Sequence, residues 1–145
     1  MNDVPDCPLC SGAGEHLIWT SHRCRVIRVD DTGFPGYCRV VWNKHAVEMS
    51  DLNEVDRVFL MAVVVDVESA VREVTRADKI NLASFGNVVP HLHWHVIPRW
   101  HDDSHFPQPI WGQPMRPVPA RRLDFAAIDS AVCRRLQNRP DCSPA

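Results

Sequence analysis

Residues 91–96, HLHWHV, alternate strictly between histidine and large apolar side chains. A period of two belongs to a β-strand, where successive side chains leave opposite faces. His91, His93 and His95 therefore share one face, and Leu92, Trp94 and Val96 share the other. The apolar face can bury in a core, so the histidine face looks toward solvent or a cleft. A merely polar surface strand has no need of histidine at three positions out of three. The stretch thus calls for a sheet covered on one side, and the rest of the chain must supply the cover.

The flanking sequence contains suitable pieces. LIWTSHRCRVIRV (17–29) is β-rich, DDTGFPG is a turn carrying Gly33, Pro35 and Gly36, and YCRVVW (37–42) returns as a strand. Together they predict an antiparallel hairpin with a long loop. Ser50 or Asp51 is expected to cap a helix running to about Arg76, with Glu54 three residues after Asp51 as in a capping box. Leu52, Val55, Phe59, Val63, Val67, Ala70 and Val74 form its apolar stripe. KINLASF (79–85) predicts a third strand, interrupted by Gly86-Asn87, and 91–97 a fourth. Pro107, Pro109, Pro114, Pro117 and Pro119 mark an irregular arm, and 120–138 predicts a terminal helix. There is no internal repeat. The order β-β-α-β-β with a tail implies an α+β fold, an antiparallel sheet packed with a long helix.

The chain has 145 residues, of which 45% are hydrophobic, enough for one domain with a real core. The expected division is a domain over residues 1–106, including the N-terminal cysteine segment, and an arm with a helix over 107–145. Net charge is −2, so no basic surplus argues for nucleic acid as a partner. The first residues lack a basic and an apolar region, so no signal peptide is expected. No apolar run approaches the roughly 18 residues of a membrane span. A cytoplasmic protein is expected, with no membrane partner. Cysteines stand at 7, 10, 24, 38, 133 and 142, and in that compartment they are thiols or metal ligands.

Two kinds of chemistry suit the histidine face. A three-histidine metal site is disfavoured by length, because residues four apart on a strand lie about 13 Å from each other, while metal–nitrogen bonds are about 2.0–2.1 Å. At least one imidazole does something else. A neutral imidazole is a nucleophile and a proton carrier near pH 7. One histidine can attack an electrophile while its neighbour assists the leaving group or braces a charged oxygen. CPLC at 7–10 is a C-x-x-C that admits a zinc site, free thiols or a redox pair, and zinc needs two further ligands. Cys24 and Cys38 fit a core; Cys133 and Cys142 have no partner pattern.

HLHWHVI matches the signature of the histidine triad (HIT) family, His-φ-His-φ-His-φ-φ, at every position. FPGYCRVVWNKH resembles the family's Pro-Gly-x-φ-φ-φ-φ-x-x-x-His strand, and the order of the following helix and strand is also similar. The resemblance covers roughly residues 7–106. PRWHDDSHF resembles the branch active on dinucleoside polyphosphates such as diadenosine tetraphosphate, hydrolases or phosphorylases.

The resemblance implies a nucleotide hydrolase or transferase that acts at the α-phosphate without a catalytic cofactor. His93 would be the nucleophile, forming a covalent nucleotidyl-histidine. His95 would contact the α-phosphate and assist the leaving group. Asn87 takes the place of a phosphate-contacting glutamine, Ser84 falls near a polar ligand contact, and Asp30 or Asp31 matches the residue that holds the ribose. Tyr37 stands where many members have a fourth histidine; its phenol would support the site by a hydrogen bond, and it is a candidate substrate-binding residue. Cys7, Cys10, His45 and His91 match the ligands of one structural zinc per chain. The family also implies a homodimer with a nucleotide substrate. Two other readings stand beside this one: a nucleotide-binding module without turnover, which Tyr37 favours, and a zinc-dependent hydrolase.

Overall fold

The computed structural model describes residues 4–30 and 33–139. Asp31 and Cys142 lie outside them. The elements, in chain order, are α1 (Pro8–Ser11), β1 (His16–Thr20), β2 (Cys24–Arg28), β3 (Cys38–Trp42), α2 (Glu54–Thr75), β4 (Lys79–Ala83), β5 (His93–Arg99) and α3 (Phe125–Gln137). The five strands form one antiparallel sheet in the order β1-β2-β3-β5-β4. The fold is α+β, as the sequence implies.

The apolar alternation does what its period requires. Val26, Val40 and Val96 point to one side of the sheet and are fully buried there with Leu92. α2 covers that side with Phe59, Leu60, Val63, Val64, Val67, Ala70 and Val71. α3 packs on α2 and β1 and adds Ile128, Ala131, Val132 and Leu136 to the same core. Cys24 and Cys38 are core residues. The opposite side carries α1, the histidines and the arm that follows β5.

Several expected boundaries move. Residues 17–29 form two strands, because Ser21 turns the chain: its hydroxyl accepts from the Arg23 and Cys24 N–H groups. The sheet therefore gains β1 as an edge. α2 is capped by Asn53, whose side chain accepts from Asp56 N. Met49–Asp51 forms a separate 3-10 turn, in which Asp51 and Glu48 make the capping box. Glu54 begins α2 and takes no part in that box. Val55 is exposed rather than part of the stripe. β4 ends at Ala83, α3 begins at Phe125, and β5 begins at His93, so His91 and Leu92 lead into the strand.

Gly36 sets the entry to β3. Its φ is 90°, and a Cβ there would meet Thr75 Cγ2 at 3.1 Å. A side chain would thus be strained both by backbone and by α2, and the turn before Tyr37 depends on glycine.

Candidate active site and metal-binding group

Three side chains of the sequence motif divide between two neighbouring sites. His91 is fully buried, and its Nδ1 lies 3.4 Å from Cys7 Sγ and 3.5 Å from Cys10 Sγ. His45, from the β3–α2 connection, places Nδ1 3.4 Å from Cys10 Sγ. The four ligand atoms lie within 4.8 Å of one another, and this is the group among the described residues with the makings of a metal site. Tetrahedral bonds of about 2.3 Å to sulfur and about 2.0 Å to nitrogen put such atoms about 3.5 Å apart, which matches the spacing. His91 Nε2–H donates to Trp42 O at 2.6 Å. A carbonyl only accepts, so the ring proton is on Nε2 and the Nδ1 lone pair faces the thiols.

Local structure brings the cysteines there. Pro8 starts the single turn of α1, with Cys7 as its N-cap, and Gly12 ends it in the left-handed region. Arg25 straps this turn to the sheet: Nη2 donates to Leu9 O at 2.7 Å, and the guanidinium pairs with Glu15 at 2.7 Å. Cys7 and Leu9 then pack on Ile27 and Val41.

His93 and His95 are 7% and 6% exposed and line a cavity of about 480 Å³. The cleft expected from the alternation is there, with the histidines buried in its floor. His93 Nδ1–H donates to the carbonyl of His91 at 2.6 Å. Its Nε2 is therefore the unprotonated nitrogen, available toward the cavity. The two rings meet edge-to-face at 4.7 Å. Burial lowers the pKa of His93, outweighing that carbonyl bond, and Arg39 lowers it further. Burial, His93 and Arg39 together bring His95 down to about 3. Both imidazoles are neutral at pH 7.

Tyr37 reaches the site through His95. Its hydroxyl bonds Nδ1 of His95, not the nucleophile position. Burial raises the phenol's pKa, against a smaller opposing pull from Arg39, so the phenol keeps its proton and is assigned as donor. His95 then carries its ring proton on Nε2. The hold on His93 comes from the His91 backbone.

The other named residues are spread out. Asn87 lines the cavity. Ser84 does not; its hydroxyl donates to His93 O at 2.7 Å and ties the end of β4 to β5. Asp30 is exposed at the end of β2, pairs with Arg28, and lies on the α3 side of the sheet. Cys133 is half-buried, its thiol directed at Ile18 O at 3.2 Å.

Several site residues have no place in the motif. Pro8 and Leu9 make one cavity wall, so the metal-binding turn and the cavity share a boundary. Arg39 on β3 lies opposite His95. Trp111, from the arm, sits 5.0 Å from the His95 ring and 4.7 Å from Phe85. Arg39 shares a face with Tyr37 by strand alternation, a signal legible in YCRVVW. Trp111 lies in a proline-rich stretch with no periodicity.

Comparison with known proteins fits this geometry. Residues 12–102 match the HIT domain model. A solved histidine triad protein of Bradyrhizobium japonicum is 32% identical, covers 86% of this chain and 92% of its own, and superposes with a TM-score of 0.71. A Zn-bound histidine triad family protein of Mycobacterium smegmatis, 22% identical over 88% of this chain and 91% of its own, shares the fold with a TM-score of 0.64. The AP-4-A phosphorylase of Mycobacterium tuberculosis is 30% identical over 89 residues, 57% of this chain. That stretch spans 46% of the relative, under half its length. No helix among the described residues is long and apolar enough to cross a membrane. With the family model covering most of its length and the triad strand in place, the chain belongs to the HIT domain family.

Proposed function

We propose that this protein is a nucleotide hydrolase or transferase acting at the α-phosphate through a covalent nucleotidyl-histidine on His93. The observation that carries this reading is the fixed tautomer of His93: Nδ1–H is held by the His91 carbonyl, and Nε2 is left unprotonated at the cavity. The Nε2 lone pair attacks the α-phosphorus, and the bond from phosphorus to the leaving group breaks. The phosphorylated ring is cationic because Nδ1 keeps its hydrogen, and the His91 carbonyl accepts that hydrogen throughout. His95 stays neutral and offers Nε2–H to a phosphate or leaving-group oxygen. Water then attacks the phosphorus, releases a proton to solution and returns His93 to its neutral form. Inorganic phosphate in place of water gives phosphorolysis.

The substrate is a dinucleoside polyphosphate or a nucleoside phosphoramidate. The similarity to an AP-4-A phosphorylase supports the first. Two thiolates and two imidazoles suit structural zinc on Cys7, Cys10, His45 and His91. The zinc would cross-link α1, the β3–α2 connection and the entry to β5. Four protein ligands leave no open position, which disfavours a zinc-dependent hydrolase. Asn87 is a substrate contact in this reading. A homodimer, expected from the family, would use an edge of the sheet, at β1 or β4.

Turnover of diadenosine tetraphosphate and an adenosine phosphoramidate, with and without inorganic phosphate, tests the reading. His93→Ala is expected to lose several orders of magnitude in rate and keep nucleotide binding. More than about a tenth of the wild-type rate, roughly 1.4 kcal/mol of barrier, would rule out His93 as nucleophile. Binding without turnover in the wild type would favour the binding module.

A further inference from the structure

Arg39 is the one charged side chain among the described residues lining the cavity of His93 and His95. Its Nε is buried without a hydrogen-bond partner. Among the described residues it forms no ion pair, although most other partly buried arginines near the sheet do: Arg25, Arg28 and Arg99 each hold a carboxylate. The Tyr37 ring lies 5.6 Å from its guanidinium carbon, and the Tyr37 hydroxyl is its neutral hydrogen-bond neighbour. Arg39 is half-buried, with its Nε shut off from water and its guanidinium at the cavity wall, and no carboxylate compensates its charge. Such an arrangement is stable in function when the anion is the ligand, and a planar fork of donors suits phosphate.

The strand register gives Arg39 a direction. Val41 pairs with His93, and Arg39 pairs with His95. Successive same-face rows on a strand are about 7 Å apart. Along β5 the order is the metal-binding group at His91, the nucleophile position at His93, then the row of His95 and Arg39. Beside an α-phosphate seated on His93, the next row away from the metal-binding group is that of His95 and Arg39, and the leaving group is assigned to that side. The anionic chain beyond the α-phosphorus thus meets the one cationic side chain that lines the cavity among the described residues. A substrate whose leaving group is an uncharged amine offers Arg39 nothing.

We propose that Arg39 is a substrate-binding residue that holds the phosphate next to the α-phosphate, and that it selects nucleotides with an anionic, polyphosphate-type leaving group over those with a neutral one. This rests on the reading of His93 as nucleophile. Held there, the guanidinium neutralises charge that develops on the leaving oxygen as its bond to the α-phosphorus breaks.

The test is a ratio. Wild type, Arg39→Leu and Arg39→Gln are assayed for kcat/KM on diadenosine tetraphosphate and on adenosine 5′-phosphoramidate, which share the adenosine α-phosphate. In both variants the tetraphosphate-to-phosphoramidate ratio is expected to fall at least tenfold, with Arg39→Lys between them and wild type. An unchanged ratio, with both substrates slowed alike, would overturn the assignment and place Arg39 at the α-phosphate or in the fold. If wild type turns over neither substrate, the function proposed above fails, and calorimetry with inorganic tripolyphosphate decides the present point. Binding lost in Arg39→Leu or Arg39→Gln at an unaltered melting temperature upholds it; equal binding by wild type and variants ends it.

Discussion

The two ends of β5 are fixed by opposite means. At its start, His91 enters a cluster of two thiols and a second imidazole, a group that could hold a metal ion. At its end, Arg99 is 1% exposed and closes on Asp103, also 1% exposed, at 2.7 Å. That pair is complete in itself. Arg99 also donates to Asn81 Oδ1 at 2.7 Å and Gln108 O at 2.8 Å, and Asp103 accepts from the N–H groups of Trp100, His105 and Phe106. His93 and His95 sit between these anchors. With a metal on that cluster, one anchor would answer to metal supply and the other to acid, and the positions of the His93 and His95 nitrogens would depend on two independent conditions.

Removing the metal ligands should have the largest effect. Cys7→Ser with Cys10→Ser is expected to abolish bound zinc and to destabilise by about 5 kcal/mol or more, given the 10–16 kcal/mol typical of structural zinc in small peptides. A core of this size keeps the sheet folded, so the loss is below that range. Elemental analysis and thermal melts check both outcomes. Full metal content in the double variant would remove the assignment, and with it the contrast between the two ends. A chelator should reproduce the destabilisation in wild type and leave the double variant unmoved.

Breaking the other anchor comes next. Asp103→Asn leaves Arg99 buried with its charge uncompensated, which costs about 3–5 kcal/mol in denaturant melts. The acid response sharpens the contrast. Burial raises the carboxyl, but Arg99 and the backbone donors outweigh it and bring its pKa down to about 2, from an ordinary 3.8. A lowered carboxylate pKa stabilises the fold above the unfolded value and stops doing so as pH falls through the folded one. The stability gap between wild type and Asp103→Asn should thus be constant above about pH 4 and narrow toward pH 2. A gap independent of pH across that range would mean that the charge on Asp103 is not what holds this end.

The two anchors also differ in how far the sequence shows them. The metal group is legible because C-x-x-C is a compact pattern and His45 and His91 fall at motif positions. The histidine strand is legible because a period of two has one structural meaning. Arg99 and Asp103 are four apart, a helical spacing, yet they meet in a tight turn after a strand. Their burial comes from the arm that folds over them, where Arg116 Nη1 donates to Asp103 O at 2.6 Å. Nothing in PRWHDD announces that cover. β1 was hidden for a similar reason: Ser21-His22-Arg23 turns the chain by a serine hydroxyl, without glycine or proline. Arg39 stood in plain view on the face of Tyr37, but an arginine in a strand usually reaches solvent, and only the packed arm and α1 turn make it a cavity residue.

The smallest expected effect separates the two histidines themselves. His93 is held by a backbone carbonyl, which no substitution at a neighbouring side chain removes. His95 is held by the Tyr37 hydroxyl, a side chain. Tyr37→Phe deletes that donor and keeps the ring, so the imidazole is free to move its proton from Nε2 to Nδ1. One neutral hydrogen bond is worth about 0.5–1.5 kcal/mol, and a tenfold rate change is about 1.4 kcal/mol, so turnover should fall by about two- to tenfold. Burial keeps the phenol protonated far above neutrality, so the shape of the pH–rate profile between pH 6 and 8 should not change. Tyr37→His puts a second imidazole against His95 and should keep activity or raise it. If Tyr37→Phe were as inactive as His93→Ala, the phenol would be an essential participant, and the division of labour between a backbone-held nucleophile and a side-chain-held assistant would be wrong.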